Sequence, residues 1–231
     1  MANVKLVNIS DLFGKEFLVP SYQRGYRWTT RQLEDLLEDI LDFQKKLNKQ
    51  PGEFYCLQPL VVKKLNQAEE KYEVIDGQQR LTTLYLILLS IKQRTLCFFR
   101  KKQKVGYTIP YETRKGVQKF INSLAVNNNV NYEQNIDYYY IYKAWEFINK
   151  WIDERKGNKL NLYTLLKNIR FIWYEIDESE NISGREIFTR INIGKIPLTN
   201  AELIKALFFI NEREEDRIKH QFSKAYEWEY I

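Results

Sequence analysis

The chain has 231 residues, and 36 Lys and Arg against 30 Asp and Glu leave it with a formal charge of +6. Its hydrophobic content of 44% is enough to bury a core and excludes disorder as the main state. Two cysteines and one histidine exclude a disulfide framework, histidine-bearing zinc sites, Ser-His-Asp hydrolysis and histidine-dependent nuclease centres, which leaves carboxylates, amides and guanidinium groups to do any chemistry.

In chain order, residues 4–7 and 17–19 are β-like runs separated by Gly14 and followed by Pro20 and Gly25, a strand-and-turn pattern. Thr29 with Gln32 forms a capping box. Leu33, Leu36, Leu37, Ile40 and Leu41 then fall at helical spacing, which predicts a helix over 30–47 with one apolar face. Residues 54–62 read as a strand in which Pro59 demands an edge position or a bulge, and 72–75 as a second strand. The run from Leu81 to Ile91 is apolar nearly all round, which predicts a helix buried at the centre of the domain.

Residues 100–104 are a basic stretch, 113–124 read as a helix, and 127–131 as an asparagine-rich loop. A long helix rich in Tyr and Trp is expected over 136–155 and a shorter one over 162–168, while 171–176 reads as a strand or an extended segment. Ser183 with Glu186 and Thr199 with Glu202 are two further capping boxes, with Gly194 placed to stop the first of these helices. The longest apolar run, 84–89, is far short of the roughly 20 residues a membrane span needs, and the start lacks a basic region followed by an apolar stretch. A reduced, cytoplasmic protein is expected. Because 219–231 stays periodic and aromatic, the chain is expected to be the amino-terminal part of a longer polypeptide or to work with a separate catalytic subunit.

Three segments hold the residues suited to chemistry. In the first, a strand feeds Asp76-Gly77-Gln78-Gln79-Arg80 into the buried helix, so free N–H groups and the positive end of the helix dipole converge on one spot. There Gly77 permits a close approach, Arg80 can fork onto phosphate oxygens, and Asp76 can hold Mg²⁺ or orient water. Asp-Gly is equally a common turn, and an aspartate before a helix is commonly an N-cap. The second segment, Val19-Pro20-Ser21-Tyr22-Gln23-Arg24-Gly25-Tyr26-Arg27-Trp28, mixes arginines, an amide and aromatics in a way that favours base stacking and phosphate pairing, or else a staple with surface ion pairs. In the third, Arg190, Asn192 and Lys195 fall near one turn that can close over an anion, or Asn-x-Gly is only a helix stop. Walker A, G-x-G-x-x-G and kinase patterns are absent.

In this order, V-P-x-Y-Q-R-x-Y-x-W, V-I-D-G-Q-Q-R-L-T-T-L and F-x-R-I-N-x-G-x-x-L-T resemble the amino-terminal domain of the GmrSD-type restriction endonuclease family, related to ParB-like proteins, over about residues 18–209. The resemblance implies an α+β, ParB/sulfiredoxin-like fold: a small mixed sheet from the first ~80 residues with a buried central helix, then a mostly helical region. It divides the chain into a nucleotide-binding core at 1–100 and a helical part at 101–231. It also implies nucleotide binding at Asp76, Gly77, Gln78, Gln79 and Arg80, with Tyr22, Gln23, Arg24 and Arg27 along the same cleft or a DNA-facing rim.

NTP hydrolysis with Mg²⁺ would then regulate DNA cleavage in type IV restriction-like phage defence. The implied partners are DNA, an HNH-type nuclease domain or subunit and a possible second copy of the chain. Gly25 stands where many relatives have proline, and the loop lacks the cysteine of the sulfiredoxin branch, so that redox reaction is not expected. The other reading is a non-catalytic DNA-binding or modification-sensing module that recruits a nuclease, and cleavage by this chain alone ranks last.

Overall fold

The computed structural model describes residues 3–46, 52–66, 68–94, 106–126, 130–133, 135–155, 160–176 and 183–193. The chain divides into two compact units, 1–188 and 189–231, and of the second only the stretch through Ile193 is described. The fold is α+β, as the sequence pattern implies.

In order come β1 (Asn3–Asn8), a short 3-10 helix (Ile9–Leu12), β2 (Glu16–Leu18) and α1 (Thr30–Lys45), then β3 (Tyr55–Lys64), β4 (Lys71–Asp76) and α2 (Gln78–Arg94). They are followed by α3 (Val117–Leu124), α4 (Ile136–Glu154), α5 (Leu162–Lys167), β5 (Ile169–Ile176) and α6 (Gly184–Ile193). Helix α1 starts at the expected capping box, where the Thr29 N–H donates to Gln32 Oε1 at 2.9 Å.

The five strands form one mixed sheet in the order β1-β5-β3-β4-β2. β5 runs antiparallel to β1 and parallel to β3, β3 antiparallel to β4, and β4 parallel to β2. The sheet therefore does not come from the first ~80 residues alone, because β5 supplies its second strand. Ile169, Phe171 and Trp173 are buried on one face, and Ile172 and Ile176 on the other, so a strand apolar on both sides takes an interior place.

Pro59 sits in interior strand β3, and the ladder tolerates it through a bulge: Leu57 pairs with Phe171, but Leu60 pairs with Trp173, leaving one extra residue on β3. Helix α2 is buried nearly all round, and the hydroxyls along it are satisfied. Thr82 Oγ1 donates to the Gln78 carbonyl at 2.9 Å, the Thr83 and Tyr26 hydroxyls bond at 2.8 Å, and Ser90 Oγ donates to Asn149 Oδ1 at 2.9 Å. One large core joins α1 to α4 to this face of the sheet, and a small cluster on the opposite face puts Val61, Ile75 and Ile176 beneath Ile187 and Phe188 of α6.

Candidate functional site

The end of β4, the bulge of β3 and the first turn of α2 meet at Asp76-Gly77-Gln78-Gln79-Arg80. Gly77 has φ +101°, a left-handed conformation, and a Cβ there would lie 2.8 Å from Leu60 Cδ1, so both backbone angle and packing require glycine. The first i→i−4 bond of α2 runs from the Leu81 N–H to the Gly77 carbonyl at 3.0 Å. No side chain among the described residues caps the N–H groups of Gln78, Gln79 and Arg80. Asp76 is exposed and is not an N-cap; its Oδ2 faces Arg80 Nη2 at 3.4 Å.

Arg80 lies along the bulge. Nη2 donates to the Pro59 carbonyl at 2.6 Å and Nη1 to Gln58 Oε1, while Nε is buried with no hydrogen-bond partner. The bulge that accommodates Pro59 thus turns a carbonyl toward the guanidinium. Burial pulls the Arg80 pKa below its ordinary value, and Asp76 works against that shift. A cation this poorly hydrated, with one exposed carboxylate at 3.4 Å and an open helix end beside it, makes the spot electropositive.

The amides of the same segment serve a different purpose from the one their chemistry suggests. Gln78 Nε2 donates to the Arg24 carbonyl at 2.7 Å, Gln79 Nε2 to the Gly25 carbonyl at 3.0 Å, and Gln79 Oε1 accepts from the Arg27 N–H at 2.8 Å. In return, buried Gln23 donates from Nε2 to the carbonyls of Val74 and Ile75, at 2.5 and 2.9 Å. The first and second sequence segments are therefore strapped together by side-chain amides on backbone groups. Gln78 and Gln79 leave their backbone N–H groups to the open end of α2, and the buried Gln78 Oε1 also has no partner.

Tyr22 points to the other face of β4. Its hydroxyl donates to Glu73 Oε1 at 2.7 Å, its ring packs 5.3 Å from Phe188, and burial with the Glu73 carboxylate drives its pKa upward. The third segment meets the second here, through Phe188. Arg190 and Asn192 belong to the last turns of α6, but their side chains, like Lys195 and Gly194, lie outside the described residues. The same holds for the basic stretch 100–104, Cys97, the Thr199 capping box and His220. Arg24 is exposed and makes no ion pair with a described residue.

Arg27 turns toward α4, and it leads to residues that sequence reasoning missed. Asp137, buried in the first turn of α4, accepts from Arg27 Nη1 at 2.5 Å and pairs with Arg114 Nε at 2.7 Å, and Arg114 Nη1 donates to the Gln23 carbonyl at 3.3 Å. A Cβ on Gly25 would overlap Asp137 Oδ1. The only local signal for Asp137 is its place after the Asn135 cap, whose Oδ1 accepts from the Asp137 N–H at 2.8 Å. Nothing in the sequence ties it to Arg27.

A cavity of about 860 Å³ lies elsewhere, toward the far end of α2, lined by Lys15, Glu70, Tyr85, Lys92 and Tyr107 among others. Among the described residues no cluster of three or more His, Cys, Asp or Glu side chains could hold a metal ion, and no helix is long and apolar enough to cross a membrane. The half-buried Cys56 thiol has its pKa pushed up by burial, which disfavours the thiolate.

No curated protein matches the chain. A family model described as the GmrSD restriction endonuclease, N-terminal domain, matches residues 9–209, a span that contains the strapped loop, the Asp76 to Arg80 turn and α6. The match takes in most of the 231 residues, and the chain accordingly belongs to the GmrSD restriction endonuclease N-terminal domain family.

Proposed function

We propose that this domain binds a nucleoside triphosphate at the amino end of α2 and hydrolyses it with Mg²⁺, so regulating a nuclease domain or subunit outside this chain that attacks DNA in phage defence. The observation that carries the reading is Arg80: a half-buried cation whose Nε has no partner, beside three uncapped N–H groups and an exposed carboxylate. Phosphate oxygens supply the acceptors that these donors lack.

The donor set fits the ligand. Magnesium in phosphoryl-transfer sites is held by one or two carboxylates together with substrate phosphates and water, and the single exposed Asp76 matches that demand. When bound, the ion neutralises phosphate charge and polarises the transferred group. The chain's own part is positioning and electrostatics: the N–H groups of Gln78, Gln79 and Arg80 orient the phosphates, the Arg80 guanidinium stabilises charge on them, and Asp76 holds the metal or orders the attacking water. Tyr22, Gln23, Arg24 and Arg27 act around this turn, with Gln23 and Arg27 fixing the loop. Arg190, Asn192 and Lys195 of the third segment are proposed as further cofactor-binding residues. A cytoplasmic location and a nucleotide-dependent second copy of the chain belong to the same reading.

Calorimetry with each of the four NTPs and Mg²⁺ tests it, on the chain and on Asp76→Ala, whose exposed side chain can be removed without disturbing the core. Binding that falls at least tenfold in the variant, together with phosphate release that DNA modulates, is the expected result. No binding of any NTP by the folded chain would refute it.

A further inference from the structure

Around Arg27, α4 presents a run of aromatic rings that the proposed nucleotide site does not use. The Arg27 guanidinium lies 5.1 Å from the Tyr140 ring centre. Tyr140 meets Tyr139 edge-on at 5.6 Å, Tyr139 lies 6.4 Å from Tyr132, and Tyr132 stacks on Tyr142 at 3.9 Å with planes 4° apart. Beyond them Lys143 Nζ sits 6.0 and 5.9 Å from the last two rings. Tyr139 is 43% exposed and Ile136 63%, whereas the neighbouring Tyr138 ring is used up in stacking on Phe120 at 4.1 Å.

Charge is unevenly spread along this ribbon. At the Tyr140 end stands Arg27, which shares Asp137 with Arg114, and in the chain Arg24 lies three residues before Arg27 and Lys115 directly after Arg114. Among the described residues, the Asp137 carboxylate there already has both oxygens occupied by Arg27 and Arg114. Glu112 is engaged as well, accepting from the Ser21 N–H at 2.6 Å. Arg24 and Lys115 are exposed and have no ion-pair partner among the described residues. At the Tyr132 end the charge is slightly negative: Lys143 is paired with Glu146 at 2.9 Å, and Glu133, next to Tyr132 in the chain, is exposed.

We infer that this face binds single-stranded nucleic acid, with phosphates on Arg24, Arg27 and Lys115 and unstacked bases against Tyr140, Tyr139 and Tyr132. Aromatic faces take any base and add affinity per base, while cations beside them track the backbone. A duplex keeps its bases stacked on one another and offers these rings nothing, and an apolar protein helix would leave the unpaired cations without acceptors. The inference deepens the DNA-targeting part of the proposed function, but it does not rest on the nucleotide site.

The test is fluorescence anisotropy of a fluorescein-labelled mixed-sequence single strand of about 12 nucleotides, titrated with the whole chain without nucleotide or Mg²⁺, at two salt concentrations. Tyr139→Ala is expected to weaken binding about tenfold and Tyr139→Phe to leave it unchanged, because stacking uses the ring and not the hydroxyl. Arg24→Ala is expected to weaken it and to lower the salt dependence by about one phosphate contact. Thermal melts of each variant establish that it is folded.

Absence of saturable binding up to about 100 μM would overturn the proposal. So would undiminished binding by folded Tyr139→Ala, or a Phe variant as weak as the Ala variant. Binding of duplex as tight as single strand would overturn it while leaving DNA targeting intact. Self-association lost in Tyr139→Ala, without DNA binding, would reassign the face to a second copy of the chain.

Discussion

Gln23 shows how much a single amide can hold. It is 3% exposed, and its Nε2 serves two β4 carbonyls. Replacing it with Glu keeps the shape but turns a donor into an acceptor that faces two oxygens, so a loss of about 3 kcal/mol in denaturant unfolding is expected. Gly25 matters through space and not through backbone angle. Gly25→Ala drives a methyl into Asp137, which two arginines hold in place, and a loss of about 2 kcal/mol is expected. In an Asp137→Ala background that penalty should shrink, which a double-mutant cycle would measure. Residue chemistry alone picked out Arg80 and Asp76 correctly as neighbours of an open helix end. It could not show that Gln78 and Gln79 spend their side chains on the 24–27 backbone, because the acceptors are carbonyls that every residue type carries.

At the scale of elements, helices with strong local signals were legible. The α1 capping box and the all-round apolar run of α2 both depend on spacing within one segment. Leu84, fully buried on α2, tests the latter: Leu84→Ala should cost about 3 kcal/mol, read as a lower denaturant midpoint at unchanged slope. The bulge was half legible, since Pro59 forbids a regular ladder but does not reveal that the displaced carbonyl holds Arg80. β5 was open between strand and extended segment because aromatic and branched residues on both faces have no alternation to read. Only its neighbours β1 and β3 settle it, and they lie more than a hundred residues away in the chain.

For the whole molecule, buried tyrosines set an alkaline limit. Tyr26, Tyr107 and Tyr111 lie in the core, and desolvation raises all three, Tyr111 to about 12. An unfolded tyrosine ionises near 10, so their contribution is complete below that pH and is lost as pH rises through the folded values. Stability should be flat up to about pH 10 and fall between 10 and 12, with the last fraction of tyrosinate absorbance at 295 nm, that of the core rings, appearing together with the loss of circular dichroism. Tyrosinate signal from the core while the chain stays folded would contradict that burial.

The place of β5 also bears on the order in which the chain is made. Asn3 is made long before its ladder partner Glu175, and Asn8 waits for Arg170. Until residue 176 has been synthesised, β1 has no partner and β3 keeps one bare edge, both beside apolar side chains. Until then the nascent sheet has an unfilled slot, exposed to pairing with neighbouring chains and dependent on whatever shields it.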